Sequence, residues 1–298
     1  MRPHVELVDE KDLIWHPAEL PHGSGEVRQR NLCYDEENGA ASLLVEFVTD
    51  WRRGAGLHAA QTEWYVLEGG IRIGDRALGE GGYWVAPCGV STPEMRAAAG
   101  TRVLLFREYA DWGFTLAENG ADPAGDGLVV VDSNAMDWYD VVHPEHGSPM
   151  DFDRGGTPVP GLFIKLLWRD PENGFYTRLI KAKPGWREHP LAHHPVYEEA
   201  YCLDGDFHYN FGTMVKGQYF FRPAGVRHGD FTAGEDNGCV WLLRCDGDLV
   251  DWYTDNASVE MKGDPVNWGD DYPNTEPPVY LQPVRSRSIG PWKDPNYV

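Results

Sequence analysis

Residues 187–205 read REHPLAHHPVYEEAYCLDG. Three of the chain's 11 histidines (His189, His193 and His194) fall here within eleven residues of Glu198 and Glu199. Imidazole nitrogens and a carboxylate oxygen are the donor set that holds Fe(II), Mn(II), Ni(II) or Zn(II). Two or three histidines plus one glutamate leave coordination positions open for a substrate and for dioxygen. The bland alternative is a polar surface turn, and what stands around the cluster decides between them.

The surrounding chain is built of short strands. Runs such as ASLLVEFVT, EWYVLEG, GYWVAP and TRVLLFREY in the first half are separated by Gly, Pro, Asn and Asp turns. GLFIKLLWR, FYTRLIKAK, EEAYCLDG, DFHYNF, GQYFFRP and GCVWLLRC repeat the arrangement in the second half. This spacing predicts an all-β fold of barrels or sandwiches. No segment carries a sustained helical period. The 34 glycines and 22 prolines fit many tight turns.

The chain also repeats itself. His58–Thr92 aligns without a gap on His194–His228, pairing Gly69 with Gly205, Gly81 with Gly217, Pro87 with Pro223 and Gly89 with Gly225. Upstream, DEENGAASLLVEF echoes DPENGFYTRLIKA, with the offset slipping by one. A period this long signals a duplicated domain rather than a solenoid. The expected division is residues 1–122, 123–250 and a C-terminal stretch 251–298, with the Gly/Asp/Pro-rich segment 117–127 between the copies. The last stretch has no counterpart and is expected to be an irregular arm.

The second copy contains Gly217, five residues, Pro223, Ala224, Gly225, two residues and His228. It also contains Glu198, six residues and Gly205, with His193 or His194 shortly before the glutamate. In these motifs the chain resembles the cupin superfamily. Its second copy is most similar to the ChrR-like cupins, a group that itself resembles acetylacetone and hydroxyacetophenone dioxygenases. The resemblance implies two tandem double-stranded β-helix (cupin, jelly-roll) barrels, a bicupin, covering about residues 40–110 and 160–246. It implies one divalent transition metal per chain, Fe(II) first and Zn, Mn or Ni after it. Candidate ligands are His189, His193, His194, Glu198 and His228. The pattern departs from the family at two places: Thr232 stands where an Asn is expected, and the paired histidines of the first motif are not intact. Pro190 and Pro195 interrupt that segment, so alternation does not decide which histidine faces inward. In the first copy Thr62 and Thr92 stand where Glu198 and His228 do, so that barrel is expected to be metal-free and structural.

Tyr201 and Arg222 join Glu198 as candidate catalytic groups. The expected pocket lining is Tyr201, Phe207, Tyr209, Tyr219, Phe221 and Trp241. Arg222 could meet a substrate carboxylate or pair with an acid. The function expected first is a dioxygenase that cleaves a C–C bond in a small enolisable or aromatic substrate. A metal-dependent lyase, isomerase or decarboxylase and a non-catalytic metal or small-molecule binder are the alternatives.

A formal net charge of -21 repels phosphate backbones and anionic bilayers, so neither nucleic acid nor membrane is an expected partner. The five cysteines form no CxxC pair and read as reduced residues. With no apolar leader at the N-terminus, a cytoplasmic location is expected. The aromatic tail and the duplication suggest a homodimer.

Overall fold

The computed structural model describes residues 2–108, 113–117, 125, 127–141, 161–247, 249 and 252–253, with the backbone alone at 189–190 and 252–253. The described residues form antiparallel strands and short 3-10 turns, without an α-helix. None of their helices is long and apolar enough to cross a membrane. The 251–298 arm, apart from strand Trp252–Tyr253, and most of segment 117–127 lie outside the described residues.

The described residues divide into two compact units: those of 13–136 with Arg2, and 3–12 with those from Asp137 to Tyr253. In the first unit, strands Val27–Tyr34, Ala41–Phe47, Arg102–Arg107, Thr62–Glu68, Gly82–Ala86 and Val129–Asp132 lie side by side in that order. A smaller five-stranded sheet includes Trp51–Arg53, Ile71–Ile73 and Met95–Ala97. Between them pack Leu43, Val45, Phe47, Trp64, Trp84 and Val103, all buried. The indoles of Trp64 and Trp84 stack at 5.2 Å between ring centroids.

The second unit repeats the order with Leu162–Arg169, Tyr176–Ala182, Cys239–Cys245, Glu198–Tyr209, Gln218–Arg222 and, at the end, Val5–Asp9. The edge strand of the second unit therefore comes from outside its main run, and that of the first unit from the segment that follows the repeated copy. Val129–Asp132, which follows the first copy, pairs with Gly82–Ala86. Val5–Asp9, the first strand of the chain, pairs with Gln218–Arg222. Both are valine-rich and end in Asp, and each leads directly into a 3-10 turn, Ser133–Ala135 or Glu10–Asp12. Such strands cover an edge that would otherwise expose unpaired backbone groups.

Antiparallel pairing aligns side chains by parity. On strand Tyr176–Ala182 the alternate residues Tyr176, Ile180 and Ala182 enter the second core. On Glu198–Tyr209 the inward set is Ala200, Cys202, Phe207 and Tyr209, and Phe220 faces Ala200 across the ladder. A register shift between Cys202 and Asp204 reverses the parity midway, which is why even-numbered residues precede it and odd-numbered ones follow.

Candidate metal centre

His194 lies just past strand Arg187–His193, and His228 opens strand His228–Ala233. These strands pair, Ala192 opposite His228. The Pro-Ala-Gly turn before His228 fixes the rest. Gly225 has φ 86°, a region that penalises any Cβ, and its amide donates to the His194 carbonyl at 2.8 Å. The second motif thereby clamps the backbone of the histidine in the first. The first unit preserves the device without the chemistry: the Gly89 amide donates to the His58 carbonyl at 2.9 Å.

Three side chains converge. His194 Nε2 and His228 Nε2 are 3.0 Å apart, Glu198 Oε2 is 3.1 Å from His228 Nε2 and 4.0 Å from His194 Nε2. All three residues are buried. His228 Nδ1 lies 2.9 Å from the Val226 carbonyl, which can only accept, so Nδ1 carries the proton. In the neutral ring Nε2 is then a lone pair, and it faces a carboxylate oxygen with no proton between them. That arrangement calls for a cation. Two ligand atoms about 2.1 Å from one ion, at right angles to each other, lie about 3.0 Å apart, so these donors fit a transition metal. Among the described residues, this is the one cluster of three or more such groups.

Glu198 is held ionised. Burial alone would raise its pKa, but the cationic form of His228 hydrogen-bonded to it, with Arg222 and His194 beside them, holds it well below the usual carboxylate range, the place that a metal ion takes when the ring is neutral. Arg222 donates from NH1 to Glu198 Oε2 at 2.9 Å. Its other face grips Glu6 on the first strand, Nε to Oε1 at 2.6 Å and NH2 to Oε2 at 3.2 Å. Glu6 also accepts from Tyr209 Oη at 2.6 Å and from His4 Nε2 at 3.0 Å. Arg222 thus meets neither a surface acid nor open cavity: a buried carboxylate from the chain's first strand takes one side of it and Glu198 the other.

A cavity of about 80 Å³ opens beside the three donors. Phe207, Phe220, Phe231, Trp186 and Trp241 line it, with Arg178 among them. Of the expected lining, Phe207 and Trp241 stand there. Tyr209 is inward but its hydroxyl is spent on Glu6. Tyr201, Tyr219 and Phe221 lie on the opposite face of their strands: Tyr201 Oη donates to Glu10 at 2.6 Å and Tyr219 to Glu199. Tyr201 is therefore not brought to the metal ligands, and Phe220 takes the place expected for Phe221. Ala192 and His194, two residues apart, face the cavity. His193 is buried but outside the cluster, and the side chain of His189 is not among those described. Glu199 is buried and paired with Arg244. Arg178 was not anticipated. Its signal was an arginine on the apolar side of an alternating strand.

The first unit has no such donor set among its described residues. Thr62 and Thr92 donate their hydroxyls to the carbonyls of Ala60 and Gly56, each at 3.0 Å. The Arg53 guanidinium lies 2.9 Å from His58 Nε2; it can only donate, so the imidazole lone pair is occupied. These residues do not fit a metal.

A family model, a domain of unknown function (DUF4437), matches residues 6–252. Among curated proteins none matches the chain by sequence. Solved structures resemble it in fold. A candidate dioxygenase from Nostoc punctiforme superposes with a TM-score of 0.63 at 18% identity, covering 85% of this chain and 84% of that one. The protein YlbA from E. coli gives 0.55 at 17% identity, over 83% of this chain and 95% of that one. An oxalate decarboxylase gives 0.50 at 14%, over 91% and 84%. With its motifs, its strand order and these likenesses, the chain belongs to the DUF4437 family and has the cupin jelly-roll fold.

Proposed function

We propose that the protein is a mononuclear metal-dependent bicupin whose second barrel is the working one, with His194, Glu198 and His228 holding one divalent transition ion, Fe(II) first among them. The observation that carries this reading is the convergence of two imidazole nitrogens and a carboxylate oxygen, within 4.0 Å of one another, on the wall of an aromatic-lined cavity. An ion bound there supplies Lewis acidity and open coordination positions. The chain supplies the rest. Val226 sets the His228 tautomer, Arg222 keeps Glu198 ionised and oriented, and the aromatic lining keeps bulk water off the reacting groups. The first barrel is structural in this reading.

The reaction proposed first is dioxygen-dependent C–C cleavage of a small enolisable substrate, in keeping with the ChrR-like second motif and the fold shared with a candidate dioxygenase. The fold is shared also with an oxalate decarboxylase, so a metal-dependent lyase or decarboxylase is the second reading. Oxygen uptake separates them. Fe(II)-loaded protein given a panel of small enolisable carbonyl compounds, keto acids as well as diketones, should consume dioxygen with at least one of them, and His228→Ala with none. Substrate loss without oxygen uptake would move the assignment to the lyase reading. A chain that retains no metal would overturn both.

The same reading takes the protein as a cytoplasmic homodimer. All five cysteines are free, as a reducing compartment keeps them. Sedimentation equilibrium should give twice the chain mass, and a monomer at all concentrations would remove the dimer.

A further inference from the structure

The cavity beside His194, Glu198 and His228 contains a cation that the metal reading does not use. Arg178 lines it and is 95% buried, at 5% relative exposure. Its Nε has no hydrogen-bond partner, and no carboxylate pairs with it among the described residues. The Tyr176 ring lies 4.9 Å from the guanidinium carbon, and the Cys245 thiol is near enough to feel its charge. Glu188 lines the same cavity, half-buried and with an interaction of its own. Arg222, by contrast, is saturated by Glu6 and Glu198.

The internal repeat shows that the fold does not require this arginine. In the aligned segments DEENGAASLLVEF and DPENGFYTRLIKA, Arg178 falls opposite Leu43. Leu43 is buried in the first unit's core. The unit without the metal donors thus has leucine at the inward position, and the unit with them has an unpaired guanidinium. A buried charge without a counter-ion is an unfavourable arrangement that a bound anion relieves.

We propose that Arg178 binds the carboxylate of a small organic acid, and so sets the substrate class of this site. The guanidinium fork matches a carboxylate with two parallel hydrogen bonds. Size limits the acid. At about 80 Å³ the cavity is well under the roughly 150 Å³ that accommodates benzene in an engineered apolar core. Acids of two to four carbons fit better than an aromatic ring. Their other oxygen-bearing end is then available to the three metal donors. The net charge of -21 disfavours adventitious anions elsewhere on the protein. The proposal deepens the functional reading above, yet the carboxylate contact itself needs no metal.

Trp186 and Trp241 line the cavity, so intrinsic fluorescence, checked by calorimetry, reports its occupancy. The probes are pyruvate and butane-2,3-dione, a neutral analogue of similar size, titrated into metal-free and Fe(II)-loaded protein. Wild type should bind pyruvate saturably in both forms and the dione at least tenfold more weakly. Arg178→Leu, the residue that the first unit tolerates, should lose pyruvate affinity about 100-fold, as expected for losing a charge-assisted pair. Arg178→Lys should fall between them, which keeps the test decisive if the leucine variant folds poorly. Equal binding of pyruvate and dione, unchanged affinity in the lysine and leucine variants, or no pyruvate binding to wild type would each overturn the proposal. His228→Ala separates the two readings: lost metal with retained pyruvate affinity leaves Arg178 assigned, whatever the fate of the metal.

Discussion

Glu6→Ala tests how the first strand of the chain supports the site. Glu6 is 3% exposed and Arg222 1%. Truncation removes two Arg222 contacts, the acceptor for Tyr209 and the partner of His4. Arg222 keeps only its bond to Glu198. Breaking a buried ion pair by deleting one partner costs about 3–5 kcal/mol. Because Glu198 still faces the guanidinium, the lower end is expected, about 3 kcal/mol. For a unit of this size that lowers the melting temperature by about 6–12 °C. The sign with pH follows from the carboxyl. Burial would raise its pKa, but Arg222 and His4 hold it below the ordinary glutamate range. A depressed carboxylate contributes stability above the unfolded value and loses it as pH falls through the folded one. The wild-type advantage should therefore be full at pH 7 and shrink below pH 4.5. Arg222, freed on one side, also pulls harder on Glu198, so metal affinity should drop with stability. Urea unfolding followed by tryptophan fluorescence, with metal content measured alongside, reads both. A change under about 0.5 kcal/mol, or a difference that does not move between pH 7 and 3.5, would refute the reasoning.

Other expectations are shorter to state. In the first unit, burial and the neighbouring Arg53 push the His58 pKa down to about 3. The unfolded chain takes up that proton first, so stability should fall by about 2 kcal/mol between pH 7 and 5, and His58→Gln should flatten the slope in calorimetric melts. Gly225→Ala strains a backbone at φ 86° by about 1–2 kcal/mol. It should loosen His194 and weaken metal binding in a chelator competition, whereas Gly89→Ala should cost stability alone. Tyr209→Phe deletes one hydrogen bond to Glu6 and should cost about 1–2 kcal/mol, with metal content retained.

Much of the architecture was legible because strand, turn and motif signals agree. Pro223-Ala224-Gly225 and His228 mark the turn that clamps His194, and the paired glycines mark the same turns in both copies. Three features were hidden, each for a physical reason. His193 and His194 were not separable, since Pro190 and Pro195 break the alternation that would have chosen between them; the cross-strand bond from Gly225 to His194 resolves it. Phe220 and Phe221 were confused because the polar residues of GQYFFRP, Gln218 and Arg222, share the parity of Phe220, so ordinary alternation turned Tyr219 and Phe221 inward, whereas Phe220 is the one in the core. The partner of Arg222 could not be foreseen, because Glu6 is 216 residues away in sequence and arrives only through the exchanged edge strand. The likeness of VELVD to VVVD was the available signal for that exchange.

The most direct measurement is metal content per chain in protein purified without chelator or nickel resin. Wild type and Thr92→Ala should each hold close to one equivalent, while His194→Ala, Glu198→Ala and His228→Ala should hold little and keep their circular dichroism. Two tightly bound equivalents in wild type, or a fully loaded His228→Ala, would contradict the assignment of one metal to the second barrel.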